Sequence, residues 1–183
     1  MKIRVFGTPE ELEKALKEKV LDDKHKLSRM IATYDWEYDK KKDHIEKYCV
    51  MIGEWCKPWN RELNKELDRK SKSKNKTLSW AEQPQTIDEV GSTFTIQGFD
   101  LNYAGVILGP SVKYRNGKII FDPEKSCHKK AIRNRTLSDG TKQKFGETLI
   151  QHQVRVLMTR GVEGLYIYAC DDELRKVLLN STK

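Results

Sequence analysis

The sequence predicts an α/β layer fold with a mostly parallel central sheet. Three observations carry that prediction. Short β-type runs alternate with amphipathic helical stretches along the chain. One run, Ala104 to Gly109, is almost wholly apolar, as a central strand covered on both faces must be. The 183 residues, 37% of them hydrophobic, suffice for one core but not for two full-sized ones.

Residues 2–6, KIRVF, read as the first strand. Thr8-Pro9-Glu10-Glu11 then starts a helix: Thr8 caps, Pro9 suits the first helical position, and Glu11 completes a capping box. Leu12, Ala15, Leu16 and Val20 line one face of it. Ser28 to Tyr34 is a second strand. Residues 39–86 form an irregular insertion, with Trp55, Trp59 and Trp80 expected to pin it to the core. The alternative use of these tryptophans, as a surface on which bases stack, lacks the alternating basic positions such a surface needs.

Order returns with a strand from Val90 to Ile96, broken at Gln97-Gly98, and then the apolar strand ending at Gly109. Asn116-Gly117, between Tyr114 and Ile119-Ile120-Phe121, signals a hairpin. A basic arm follows over 122–146. A helix spans Glu147 to Thr159, with Leu149, Ile150, Val154, Leu157 and Met158 inward, and Gly161 is expected to end it. Leu165 to Cys170 is the last strand, and Asp171 caps a final helix carrying Leu174, Val177 and Leu178.

Composition narrows the function classes. No apolar run approaches the ~18–20 residues that span a bilayer, and the N-terminus lacks a signal-peptide core, so a cytoplasmic location is expected. Cys49, Cys56, Cys127 and Cys170 are scattered without a CxxC, which suits free thiols in a reducing compartment. Cys127-His128 has no second ligand pair for zinc. The four histidines are isolated, no nucleophile–base grouping is present, and there is no GxxxxGK[ST] loop.

The net charge of +8 suits a polyanion partner. Its distribution says more than its size. Residues 110–146 hold ten basic residues against three acidic ones, and a second basic run, Lys65 to Lys76, contains KSKSKNK, read as a flexible loop. The candidate contacts in the arm are Lys129, Lys130, Arg133 and Arg135. The competing account of such a run is a solvated loop.

Two segments carry a resemblance. GSTFTIQGFDLNYAGVILG from Gly91 and VLMTRGVEGLYIYACD from Val156 resemble motifs V and VI of superfamily 1 helicases, and match best the Schlafen group 3-like DNA/RNA helicase family. RVFGTPEELEKAL, ATYDWEY and Trp59-Asn60 also look like that family, and the pieces occur in its order. Val154 and His152-Gln153 depart from the family pattern.

The resemblance implies a RecA-like three-layer αβα fold over 1–183, and only the second of the two lobes that family members carry. The first lobe would hold the phosphate-binding loop and the Mg²⁺-binding acidic motif. ATP with Mg²⁺ is then the cofactor of the intact two-lobe protein, with none expected on this chain alone. The partners are single-stranded DNA or RNA and the missing N-terminal lobe, with no membrane. Arg160 becomes the arginine finger, a task that suits a planar, permanently charged guanidinium. Its alternative is a basic residue serving a helix C-terminus. Gln97, Gly98 and Asp100 would form the motif V turn near nucleotide, with Asp100 as a helix cap the competing account. Arg155, about 140° around the helix from Arg160, is assigned to the cleft. Thr93 and Thr95 would meet backbone phosphates, or are simply strand-forming residues. The reading in a different class is a standalone basic nucleic-acid-binding module without catalysis. A nuclease lacks any supporting carboxylate cluster.

Overall fold

The computed structural model describes residues 1–39, 48–129, 133, 135–136 and 138–182. Its strands are β1 (Lys2–Val5), β2 (Arg29–Ala32), β3 (Cys49–Ile52), β4 (Trp55–Pro58), β5 (Val90–Gly91), β6 (Leu101–Leu108), β7 (Val112–Arg115), β8 (Lys118–Phe121), β9 (Arg135–Thr136), β10 (Lys142–Gln143) and β11 (Gly161–Ala169). The α-helices are α1 (Pro9–Val20), α2 (Glu62–Glu66), α3 (Arg69–Asn75), α4 (Gly146–Met158) and α5 (Asp172–Ser181).

The centre is a five-stranded, all-parallel sheet in the order β1-β11-β6-β2-β5. Helices cover both faces, which makes the three-layer RecA-like fold. On one face α1 buries Leu12 and Leu16 against Met30, Tyr103, Ile107 and Tyr166. Each such leucine contributes about 1.5–3 kcal/mol of transfer free energy. The close approach is possible because Gly105 lies beneath α1: a Cβ there would sit 2.2 Å from Leu16 Cδ1. On the other face Ile150 and Leu157 of α4 and Leu174 of α5 pack on Ile31, Val106, Leu165 and Ile167.

The N-terminus of α1 follows its sequence signal with one difference. Thr8 Oγ1 accepts from Glu11 N at 3.2 Å, but Glu11 reaches past the cap to the amide of Gly7. Asp171 caps α5 by accepting from Leu174 N at 3.0 Å, and Arg115 ties the β7–β8 hairpin to the same carboxylate. Asn116 and Gly117 both take positive φ, as the hairpin turn requires.

The described part of the insertion has more structure than its composition suggested. The β3–β4 hairpin buries Val50, Trp55 and Trp59 on the α1 face, and Trp80 enters the core of the opposite face. Trp59 and Trp80 therefore clasp the β5 edge of the sheet from its two sides, while Trp55 donates to Glu13 of α1. Residues 69–75, read as part of a flexible loop, are the helix α3, whose N-terminal amide at Ser71 is capped by Asp68 Oδ1 at 2.9 Å. Buried Arg29 fastens 83–86 to β2, donating to Thr86 Oγ1 and to the carbonyl of Gln83. Among the described residues no carboxylate pairs with it, and burial pulls its pKa down to about 10.

Two strand and helix limits are corrected. The strand expected over 90–96 stops at Gly91, because Thr95 Oγ1 bonds both the amide and the carbonyl of Ser92 and turns the chain. Gly161 does not end α4. The Thr159 hydroxyl folds back on the carbonyls of Arg155 and Val156, and Gly161 opens β11 at a register shift where the Gly164 carbonyl occupies the space of its missing Cβ.

Candidate functional site

Sheet register decides where the helix-end arginine sits. β6 and β11 are parallel neighbours with Leu101 opposite Gly161, and Leu101 N donates to Arg160 O at 2.8 Å. Arg160 and Asp100 thus occupy equivalent places at the amino ends of adjacent strands. The guanidinium lies 3.4 Å from Asp100 Oδ1, with Nη1 also reaching the Phe99 carbonyl, while Nε donates to Val156 O at 3.1 Å. The side chain retains 26% exposure and Asp100 retains 58%. Arg160 therefore serves the end of α4 and also faces the Gln97–Asp100 turn, whose Gly98 has φ +89. Asp100 caps no helix, because a strand follows it.

The other expected residues are placed as follows. Gln97 and Gly98 are exposed on that turn. Arg155 is exposed on α4 and stands outside the Arg160–Asp100 pair. Thr95 is buried with its hydroxyl committed to Ser92. Thr93 is half-buried in a groove of about 250 Å³, lined also by Phe94, Ser126, His128, Ile150 and Val156. Lys129 and Arg133 are exposed. Lys130 lies outside the described residues, and so does the side chain of Arg135.

That groove holds what the sequence left unassigned. Phe94 is 53% exposed, yet it is fixed by His128 stacked at 5.3 Å and by the edge of Tyr34 at 5.5 Å. The arm itself is tied down at its root: Ser126 Oγ and Cys127 N both donate to the Tyr34 carbonyl. Phe94 also borders a second groove, of about 330 Å³, reaching Asn60 and Arg61. Arg61 borders a third, with Asn64, Lys72, Asn75 and Lys76. An aromatic centre thus runs into a basic flank. These residues come from four separate stretches of chain, though Tyr34, Phe94 and Asn60 each fall in a segment that carries the family resemblance.

The groove and the arginine share parts. Val156 lines the first groove, and its carbonyl holds Arg160 Nε. Residues 92–100 run from Phe94 to the Phe99 carbonyl that Arg160 contacts.

Comparison with known proteins matches residues 1–171 to the Schlafen group 3, DNA/RNA helicase domain family. The chain belongs to this family. An uncharacterized protein of Saccharomyces cerevisiae, YPL245W, is 41% identical over 179 residues, covering 92% of this chain and 34% of the yeast protein. The chain thus spans about a third of the length of the curated relative it matches. No solved structure matches. Membership assigns this Schlafen-type chain to a helicase-related domain. Among the described residues, no helix is long and apolar enough to cross a membrane.

Proposed function

We propose that this chain is the second motor lobe of a Schlafen-like superfamily 1 helicase, supplying Arg160 as the arginine finger. The observation that carries the reading is the state of that side chain. It projects from a rigid helix end onto the motif V turn, and its ionic partner, Asp100, is mostly exposed. A solvated pair of this kind is worth only about 0–1 kcal/mol, so the guanidinium can exchange Asp100 for a phosphate oxygen at little cost.

The described residues include no group of three His, Cys, Asp or Glu that could hold a metal. In this reading the first lobe that family members carry supplies the ligands for Mg²⁺. What this chain offers ATP is one cation and the exposed Gln97–Asp100 turn. Nucleic acid is assigned to the other end of the 92–100 segment, with Thr93, Phe94 and the arm residues Lys129, Lys130, Arg133 and Arg135. Residues 92–100 and α4 would then link nucleotide state to the bound strand.

The test is reconstitution. The chain alone is expected to release no phosphate from ATP, with or without single strands. Joined to the missing lobe, it is expected to turn over, and Arg160→Ala is expected to lower kcat by roughly 10³–10⁵. Unchanged kcat in that variant would overturn the finger assignment. Strand binding that persists while no reconstituted protein ever hydrolyses ATP would favour a standalone nucleic-acid-binding module, a reading the aromatic and basic groove also suits.

A further inference from the structure

Asn60 carries an unexplained feature. It is 4% exposed, and its Nδ2 has no hydrogen-bond partner among the described residues. Its Oδ1 accepts from Ser92 Oγ at 2.7 Å, while that Oγ accepts from Phe94 N. With the Ser92 hydroxyl donating to the Asn60 carbonyl oxygen, the two N–H groups of the amide have no partner among the described residues. A buried, unpaired amide donor costs about 1–3 kcal/mol. It lines the groove that also contains Tyr34, Tyr38, Asp39, Arg61 and Phe94.

The backbone is unusual at the same place. Asn60 and Arg61 both have positive φ, 54° and 75°. Asparagine tolerates this conformation, whereas an arginine there stores strain. The conformation is enforced by buried neighbours: Asn60 N donates to Val90 O, and Glu89, buried at the head of α2, accepts from Leu63 N. The groove opens outside the carboxyl ends of β2 and β5, at the opposite end of the sheet from the Arg160–Asp100 pair.

We infer that this pocket takes one unstacked nucleobase of a single strand, its face against Phe94 and its edge toward Tyr34 and the Asn60 amide. The inference rests on the nucleic-acid half of the function proposed above. The volume, about 330 Å³, is ample for one base. The Asp39 carboxylate in the pocket disfavours a phosphate inside it. The sugar–phosphate backbone then runs on the Arg61 side, toward Lys72 and Lys76. Stacking supplies affinity without sequence preference.

The test is fluorescence anisotropy on the full chain with a labelled oligodeoxyadenylate and an abasic strand of equal length. The wild-type chain is expected to prefer the base-bearing strand. Phe94→Ala is expected to weaken binding to that strand roughly five- to a hundred-fold, leaving the abasic strand nearly unaffected. Asn60→Asp keeps the Ser92 contact and the backbone preference but removes the donor, and it is expected to erode the same preference beyond any weakening seen with the abasic strand. Equal binding of both strands by the wild-type chain would overturn the pocket while leaving the nucleic-acid reading intact. No binding of either strand would overturn both. Displacement by micromolar adenosine monophosphate would instead make the pocket a site for free nucleotide.

Discussion

Arg160 and Asp100 face each other across the amino ends of two neighbouring parallel strands, 3.4 Å apart, because Gly161 and Leu101 are register partners. The pair is a product of the sheet and not of local sequence, since its members stand sixty positions apart in the chain. Its stability contribution is small. Asp100→Ala is expected to change unfolding free energy by less than about 1 kcal/mol in urea titrations. A larger loss would mean the carboxylate holds the fold together and is not a dispensable counter-ion.

The α1 contact is expected to be sensitive. Gly105→Ala would drive a methyl into Leu16 Cδ1 and Leu12 Cδ2, both on buried leucines. Overpacking of this kind costs about 1–3 kcal/mol. Leu16→Ala alone should cost about 2–5 kcal/mol. The double variant should be more stable than the sum of the two losses predicts, because the methyl then enters the space the leucine vacates. Simple additivity in denaturant unfolding would contradict that geometry.

Glu89 gives a pH dependence. It is 1% exposed and accepts from Trp80 Nε1 and Leu63 N, yet burial outweighs those bonds and pushes its pKa from 4.5 up to about 7. Between these values the unfolded chain has lost the proton and the folded chain keeps it, so this group's contribution to stability falls as pH rises. The full effect is up to about 3 kcal/mol. Glu89→Gln is expected to flatten that part of the profile between pH 4.5 and 7. Trp80 fluorescence provides the readout at the same contact. A variant with the wild-type slope would remove Glu89 as its origin.

The tryptophan clasp is open to proteolysis. Trp59 is wholly buried, and replacing it with alanine should cost about 3–5 kcal/mol. The expected sign is faster cleavage within 48–80 than within the central strands. Uniform cleavage along the chain would mean the insertion unfolds with the sheet.

The basic arm should set the salt response. Alanine at Lys129, Lys130, Arg133 or Arg135 should flatten the slope of log K against log salt on single strands, by about 0.7 for every phosphate the native side chain neutralises. An unchanged slope in the fourfold variant would place the polyanion elsewhere, with the α3 lysines the next candidates.

Much of the fold was legible because single residue types dictated it locally. Thr8, Pro9, Asp171 and Asn116-Gly117 each announced an element that the structure contains. The apolar run at 104–109 announced the central strand. What misled was competition between side chains and backbone: the threonines of 92–97 suggest a strand, but Thr95 spends its hydroxyl on closing a turn. Gly161 looked like a helix stop because nothing in one dimension reveals the Gly164 carbonyl pressed against it. Arg160 could be singled out through its motif. The orphaned Asn60 amide could not, since its isolation exists only once Ser92, Phe94 and Tyr34 have converged.

The order of the sheet has a consequence for synthesis. Among the described residues β1 sits at an edge and pairs only with β11, so Lys2 must wait for Gly164 before it has a neighbour. A ribosome releases α1 and its leucines long before the surface that covers them is finished. Loop closure of that span slows assembly, and nascent chains stalled short of β11 should present an unpaired edge and an uncovered helix to whatever holds emerging polypeptides.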